Sequence, residues 1–164
     1  MNKKIFFPVI ILLFTGFLFL YKIPVLTVVE LSSEKTIFIT KTFPNDIFSV
    51  KWMHSVELQP WEEIFQITDD YTVMLKDTRF KSFGAGVPDA AGKRTTIEDG
   101  YIVFHDIDRA MPELVYGVSD YAKHVFFYKD REIKLYEKVP DDSPVKISVI
   151  SITLPEYILR KVKF

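Results

Sequence analysis

From Val25 onward the chain repeats one pattern, a short alternating or β-branched run closed by turn-forming residues, and that rhythm restricts the fold more than any other feature of the sequence. The runs cover residues 25–31, 35–43, 46–54, 62–68, 71–80, 100–106, 113–117, 123–129, 132–138 and 145–152. Between them stand Ser32-Ser33, Pro44-Asn45-Asp46, Asp69-Asp70, Lys129-Asp130 and the proline-bounded stretch 140–144. Side chains that bond their own backbone, and the fixed φ of proline, favour chain reversal there. Runs spaced by about 8–12 residues predict an all-β fold, an antiparallel β-sandwich or barrel, because parallel strands need helical crossovers and no helical period interrupts these runs. Fifteen phenylalanines and eight tyrosines agree, since aromatic side chains suit a pleated surface. In 46–54 the period of two places Phe48, Val50, Trp52 and His54 on one face, with Ser49, Lys51, Met53 and Ser55 on the other. The run 145–152 turns apolar on both faces near its end, so a strand covered on both sides is expected there.

Before Val25 the chemistry changes. Met1-Asn2-Lys3-Lys4 is a short basic start, and residues 5–20 carry no charge. Sixteen helical residues at about 1.5 Å each fall slightly short of a bilayer core of about 30 Å unless Tyr21 and residues 23–26 contribute. A cleaved secretory leader opens the same way but needs a small-x-small site, and L-Y-K-I-P-V-L-T-V-V-E-L-S over residues 20–32 offers none. The expectation is an uncleaved signal anchor, one transmembrane helix over residues 1–24 with Lys3 and Lys4 inside, followed by an extracytoplasmic β domain over residues 25–164. Such a chain is a single-pass protein of the cytoplasmic membrane, and cleavage would make it secreted. The net charge of −1 is spread without a basic face, so no nucleic-acid partner is expected. With no cysteine, disulfides, thiolate metal sites, a thiol nucleophile and lipid attachment at cysteine are all excluded, and the core alone must hold the domain.

The chemistry concentrates in F-S-V-K-W-M-H-S-V-E-L-Q-P-W-E-E over residues 48–63, which holds both tryptophans, one of three histidines and the carboxylates Glu57, Glu62 and Glu63. Polar groups carried among large apolar ones must find partners or cost free energy. Glu57 stands three residues from His54, and Pro60 suggests a turn over 57–61 that brings Glu62 and Glu63 within reach. Three readings stay open. His54 is a buried histidine bonded to a glutamate or a carbonyl and fixing a corner; or the stretch recognises a small polar ligand, with Trp52 and Trp61 against each other or at a barrel mouth; or His54 joins Glu57 or Glu62 on a metal. The spacing matches no standard ligand motif, so neither metal nor cofactor is assigned. A serine–histidine pair is disfavoured, because Ser55 points away from the His54 face and no nucleophile elbow exists. Residues 83–99 hold three of the six glycines and read as one long loop closing over the site. Gly84 and Gly86 there permit a tight turn or let backbone N–H groups approach an anion, and Asp89, Lys93, Arg94, Glu98 and Asp99 are its rim or its solvated charges. Ser119 either reaches that rim or closes a local turn. The final R-K-V-K reads as a solvated basic end, with a membrane-surface contact as its alternative.

K-W-M-H-S-V-E-L-Q-P-W-E-E over residues 51–63, T-R-F-K-S-F-G-A-G-V-P-D over 78–89 and Y-G-V-S over 116–119 together resemble the bacterial family known as domain of unknown function 1850. The resemblance extends over nearly all of the chain after the N-terminal segment. It implies a small, often membrane-anchored protein encoded beside sodium-coupled TRAP-type importers of the TAXI class, and therefore an accessory part of such a transporter. By motif match it marks Trp52, His54, Ser55, Glu57, Trp61, Glu62, Gly84, Gly86 and Pro88. The expectation that follows is a non-enzymatic, membrane-tethered β module whose 54–63 hairpin and 83–99 loop contact the permease, its solute-binding protein or a small ligand. The alternative is a metal-dependent, hydrolase-like enzyme using His54 with Glu57 or Glu62 as ligands or as an acid–base pair.

Overall fold

The alternating runs pair as antiparallel strands. The computed structural model describes Gly16, residues 19–81 and residues 91–163. Within them the order is β1 (Lys22–Glu30), β2 (Lys35–Lys41), β3 (Ile47–Met53), β4 (Pro60–Ile67), β5 (Val73–Phe80), β6 (Arg94–Glu98), β7 (Tyr101–His105), β8 (Arg109–Ala110), β9 (Leu114–Val118), β10 (Val125–Tyr128), β11 (Arg131–Lys134), a 3₁₀ turn (Leu135–Glu137), β12 (Ser143–Thr153) and a helix, α1 (Leu154–Lys163). A smaller sheet runs β2-β1-β12-β9, and a larger one runs β11-β10-β3-β4-β5-β7-β6 with β8 beside β5. One apolar cluster draws Leu26, Val28 and Phe38 from the smaller sheet and Phe48, Phe65 and Phe126 from the larger. Phe38 meets Phe126 at 5.4 Å between ring centroids, and Phe48 lies on Phe65 at 5.0 Å. Each such side chain contributes about 1.5–3 kcal/mol through removal from water, so the shared core is what joins the two sheets.

The chain crosses between sheets at residues 42–46. There Asp46 Oδ2 accepts from Thr42 Oγ1 and the Phe43 amide at 2.9 Å each, and from the Tyr128 hydroxyl at 2.6 Å. Lys22 pairs with Thr153, so β1 begins where α1 begins, and this is the proximal end of the fold. The distal end gathers the turns 31–34, 54–59, 119–124 and 140–142, tied by bonds from the Leu31 amide to the Pro144 carbonyl (2.9 Å) and from the Met53 amide to the Ala122 carbonyl (2.7 Å).

The all-β expectation holds, with differences in detail. The long loop expected over 83–99 does not run through its second half, because Arg94–Glu98 is strand β6, folded onto β7 through Asp99 (φ 49°) and Gly100 (φ 76°), and residues 82–90 lie outside the described residues. That is the two-residue reversal whose twist suits a hairpin. The expected R-K-V-K end belongs to α1, which Thr153 opens by accepting the Glu156 amide at 3.4 Å. Pro155 is tolerated in that first turn, where its missing N–H breaks no helical bond. α1 covers the outer face of the smaller sheet, placing Leu154 and Tyr157 against Ile23, Val25, Ile39 and Ile152. The end of β12 is therefore covered on the face of Ile150 and Ile152 alone, and not on both as expected, because Ser151 on the other face is exposed. Among the described residues no helix is long and apolar enough to cross a membrane. Most of the signal anchor expected over residues 1–24 lies outside the described residues, as do Gly84, Gly86 and Pro88.

Candidate functional site

The turn between β3 and β4 spans residues 54–59 rather than 57–61, and this one shift decides where every candidate side chain points. The His54 amide donates to the Gln59 carbonyl (2.9 Å), and the Leu58 amide donates back to the His54 carbonyl (3.0 Å), with Leu58 at φ 52°. His54 Nδ1 accepts the Glu57 amide at 3.3 Å, so the imidazole caps the turn that carries it. Pro60 opens β4, a strand position that tolerates its lack of a donor. Trp52 then stands directly opposite Trp61, and the indoles stack at 5.6 Å and 15°.

Around that pair the rings form a column. His54 stacks on Trp61 at 5.3 Å, and His124 stacks on the far side of Trp52 at 5.8 Å. His54 thus sits outside the two tryptophans, not between them. Trp61 is anchored through Nε1, which donates to Thr78 Oγ1 at 2.7 Å, and Thr78 donates in turn to the Glu62 carbonyl at 3.2 Å. Ser55 is exposed, and its carbonyl accepts the Tyr121 hydroxyl at 3.3 Å. Ser119 closes a local turn, its Oγ accepting the Ala122 amide at 3.1 Å.

Glu62 belongs to the opposite face. It is buried there among Ser49 Oγ (2.6 Å) and the Arg79 fork, Nε at 2.8 Å and Nη2 at 2.5 Å. Strand alternation therefore separates Glu62 from His54, and these two do not converge. A hollow of about 250 Å³ beside Ser49 and Glu62 also includes Phe127 and Lys129. A larger cleft of about 1050 Å³ opens between the edges of β2 and β11, lined by Ile37, Phe38, Arg131 and Ile133 among others, and none of the expected site residues borders it. His105 is engaged elsewhere, with Nε2 2.8 Å from Thr96 Oγ1 and 3.3 Å from Glu98 Oε1. No group of three metal-ligating side chains able to hold an ion occurs among the described residues.

The inward carboxylate is Glu63. It accepts the Tyr116 hydroxyl at 2.6 Å, and because Tyr116 lies on β9 the bond joins the two sheets. Burial pushes the Glu63 carboxyl above the ordinary value, while the Tyr116 bond and the charge of Arg109 pull against it. Burial and the Glu63 charge raise the Tyr116 hydroxyl well above its ordinary value. Tyr116 also touches both His124 (5.8 Å) and Trp52 (5.6 Å). His124 is buried, its Nδ1 has no hydrogen-bond partner, and burial lowers its pKa to about 4. The sequence marked Glu63 only as one of the carboxylates near His54, and it gave Tyr116 and His124 no part in the site. Counting by two from Trp61 would have turned Glu63 inward, whereas nothing local announces that Tyr116 or His124 meets it. A family model described as Domain of unknown function (DUF1850) matches residues 48–135, from β3 to the start of the 3₁₀ turn. No curated protein and no solved structure matches the chain.

Proposed function

The chain belongs to the DUF1850 family, and on that premise we propose that it is a non-enzymatic, extracytoplasmic β-sandwich module, tethered to the cytoplasmic membrane by its N-terminal segment and serving a TAXI-class TRAP-type transporter as an accessory protein. One observation carries the reading. The distal turn presents Met53, Val56, Leu58 and Tyr121 at 37, 61, 56 and 59 % exposure, on a frame that His54 and Trp61 hold rigid. Apolar side chains clustered on a braced tip are a recognition surface, because a monomer gains nothing by keeping them in water. β3 alone has seven residues, which at about 3.3 Å each sets the tip roughly 20 Å from the proximal end. A tip so far from the chain's arrival suits a soluble solute-binding protein better than the membrane-embedded permease.

Charging the tip with Val56→Asp and Leu58→Asp tests this. Both side chains are mostly exposed, so circular dichroism is expected to be unchanged while capture of the transporter's purified solute-binding protein by the full-length chain is lost. Undiminished capture would remove the reading. Stoichiometric zinc or manganese in the wild-type chain, lost in His54→Ala, would instead support a metal-dependent hydrolase.

A further inference from the structure

The proximal end carries a second apolar surface, on an element beyond the span that the family model matches. α1 already spends one face on its own sheet through Leu154 and Tyr157. At 3.6 residues per turn Ile158, Leu159 and Val162 fall on a different flank, and they are 53, 64 and 81 % exposed. A helix that has satisfied its sheet does not need a further apolar flank unless something covers it. Arg160, paired with Glu156 at 2.8 Å, turns to the other side of the helix and lines the cleft between β2 and β11, while Lys161 lies over the Tyr157 ring at 5.6 Å on the sheet side.

Two observations identify the cover. The pairing of Lys22 with Thr153 sets the start of β1 beside the start of α1, so the chain arriving from the uncharged residues 5–20 reaches the fold at this helix. Phe43 belongs to the same end, since the Thr42 amide beside it bonds the Pro24 carbonyl at 3.2 Å. Its ring is 50 % exposed, with the Lys41 and Lys129 ammonium groups 5.0 and 6.0 Å from its centroid. Aromatic rings bracketed by lysines, beside an amphipathic helix, match the chemistry of the lipid headgroup layer. We propose that α1 lies on the surface of the membrane that holds the N-terminal segment, with Ile158, Leu159 and Val162 among the outermost acyl carbons and the Lys41 and Lys129 ammonium groups beside Phe43 against anionic headgroups. The inference rests on the tether proposed above. It adds orientation: anchor and helix together hold the sandwich upright and aim the distal tip away from lipid.

Because the chain contains no cysteine, Leu159→Cys and Ser32→Cys each give the full-length protein one thiol for an environment-sensitive nitrobenzoxadiazole label, at the proximal and the distal end respectively. The labelled chains are reconstituted into phosphatidylcholine vesicles with and without phosphatidylglycerol, and flotation records attachment separately. The expected result is a blue-shifted label at position 159 that loses intensity to lipids doxylated near the headgroup, more so with phosphatidylglycerol, beside a label at position 32 that does neither. Floating chains whose label at 159 behaves like that at 32 overturn the inference and leave the tether standing. Chains that do not float overturn the tether and the inference with it. A blue shift that doxyl lipids do not quench, together with disulfide-linked dimers of unlabelled Leu159→Cys chains, overturns it in favour of a second copy on this flank.

Discussion

Among single residues, Thr78 does more than its size suggests. Its hydroxyl is the acceptor for the Trp61 indole N–H and the donor to the Glu62 carbonyl, all of it buried. Trp61 in turn carries His54 on one side and Trp52 on the other, so the geometry of the whole column passes through one threonine. Thr78→Val keeps the branched shape and removes both bonds. A buried indole N–H left without a partner costs about 1–3 kcal/mol, and denaturant unfolding is expected to show a loss in that range, with weakened near-ultraviolet tryptophan dichroism. A stability equal to wild type would mean that Trp61 is positioned by stacking alone. Glu62 shows the converse case. Its carboxylate is spent on Ser49 and Arg79, and that leaves it a structural group on the outer face rather than a partner of His54.

At the scale of elements, the β6–β7 hairpin rests on Gly92. It sits at φ 73°, and a Cβ there would meet the His105 carbonyl oxygen at 2.1 Å, a backbone atom that also accepts the Lys93 amide at 2.9 Å. Gly92→Ala is therefore expected to cost about 2–3 kcal/mol and to speed amide exchange in β6 and β7 before the other strands. Uniform exchange across the large sheet would show that the hairpin has no separate stability. This hairpin also marks how far the sequence could be read. Period-two runs with ordinary turns, such as those giving β5 and β10, were legible because each strand chiefly buries one face and alternation reports burial directly. β6 was not, because four of its five residues, Ile97 among them, are exposed, leaving the Asp99-Gly100 turn as its main signal. α1 was also missed, although Thr153-Leu154-Pro155-Glu156 has the spacing of a helix N-cap. Trp52, Trp61 and His54 were placed together correctly. Their relation to Glu62 was not, because a turn shifted by a few residues leaves the composition unchanged and reassigns who faces whom.

For the whole molecule, the two sheets meet not only through apolar contact but at two titratable groups with opposite sign, both touching Tyr116. Glu63 has its folded pKa raised above 4.5, so it favours folding below that value and loses the contribution as pH rises through its folded pKa. His124 has its folded pKa lowered from 6.5 to about 4, so its contribution is present above 6.5 and is lost as pH falls towards 4. At 1.36 kcal/mol per pKa unit the histidine limb amounts to about 3 kcal/mol. The lowered carboxylates, Glu30 and Asp46 among them, act below about 4.5 and leave the interval above it to these two groups. Between about 4.5 and 6.5 their slopes oppose, so the wild-type chain is expected to gain less stability there than the histidine alone would give. His124→Phe keeps a ring between Trp52 and Tyr116 but removes the rising limb, so stability should fall as pH rises from 4.5. Glu63→Gln keeps an acceptor for Tyr116 and removes the falling limb, so stability should climb steadily from pH 4 to 6.5. Urea midpoints measured across that interval read both slopes. Two variants with the same sign of slope would show that the sheets are not coupled through this pair of groups, and that the apolar core alone sets the pH response.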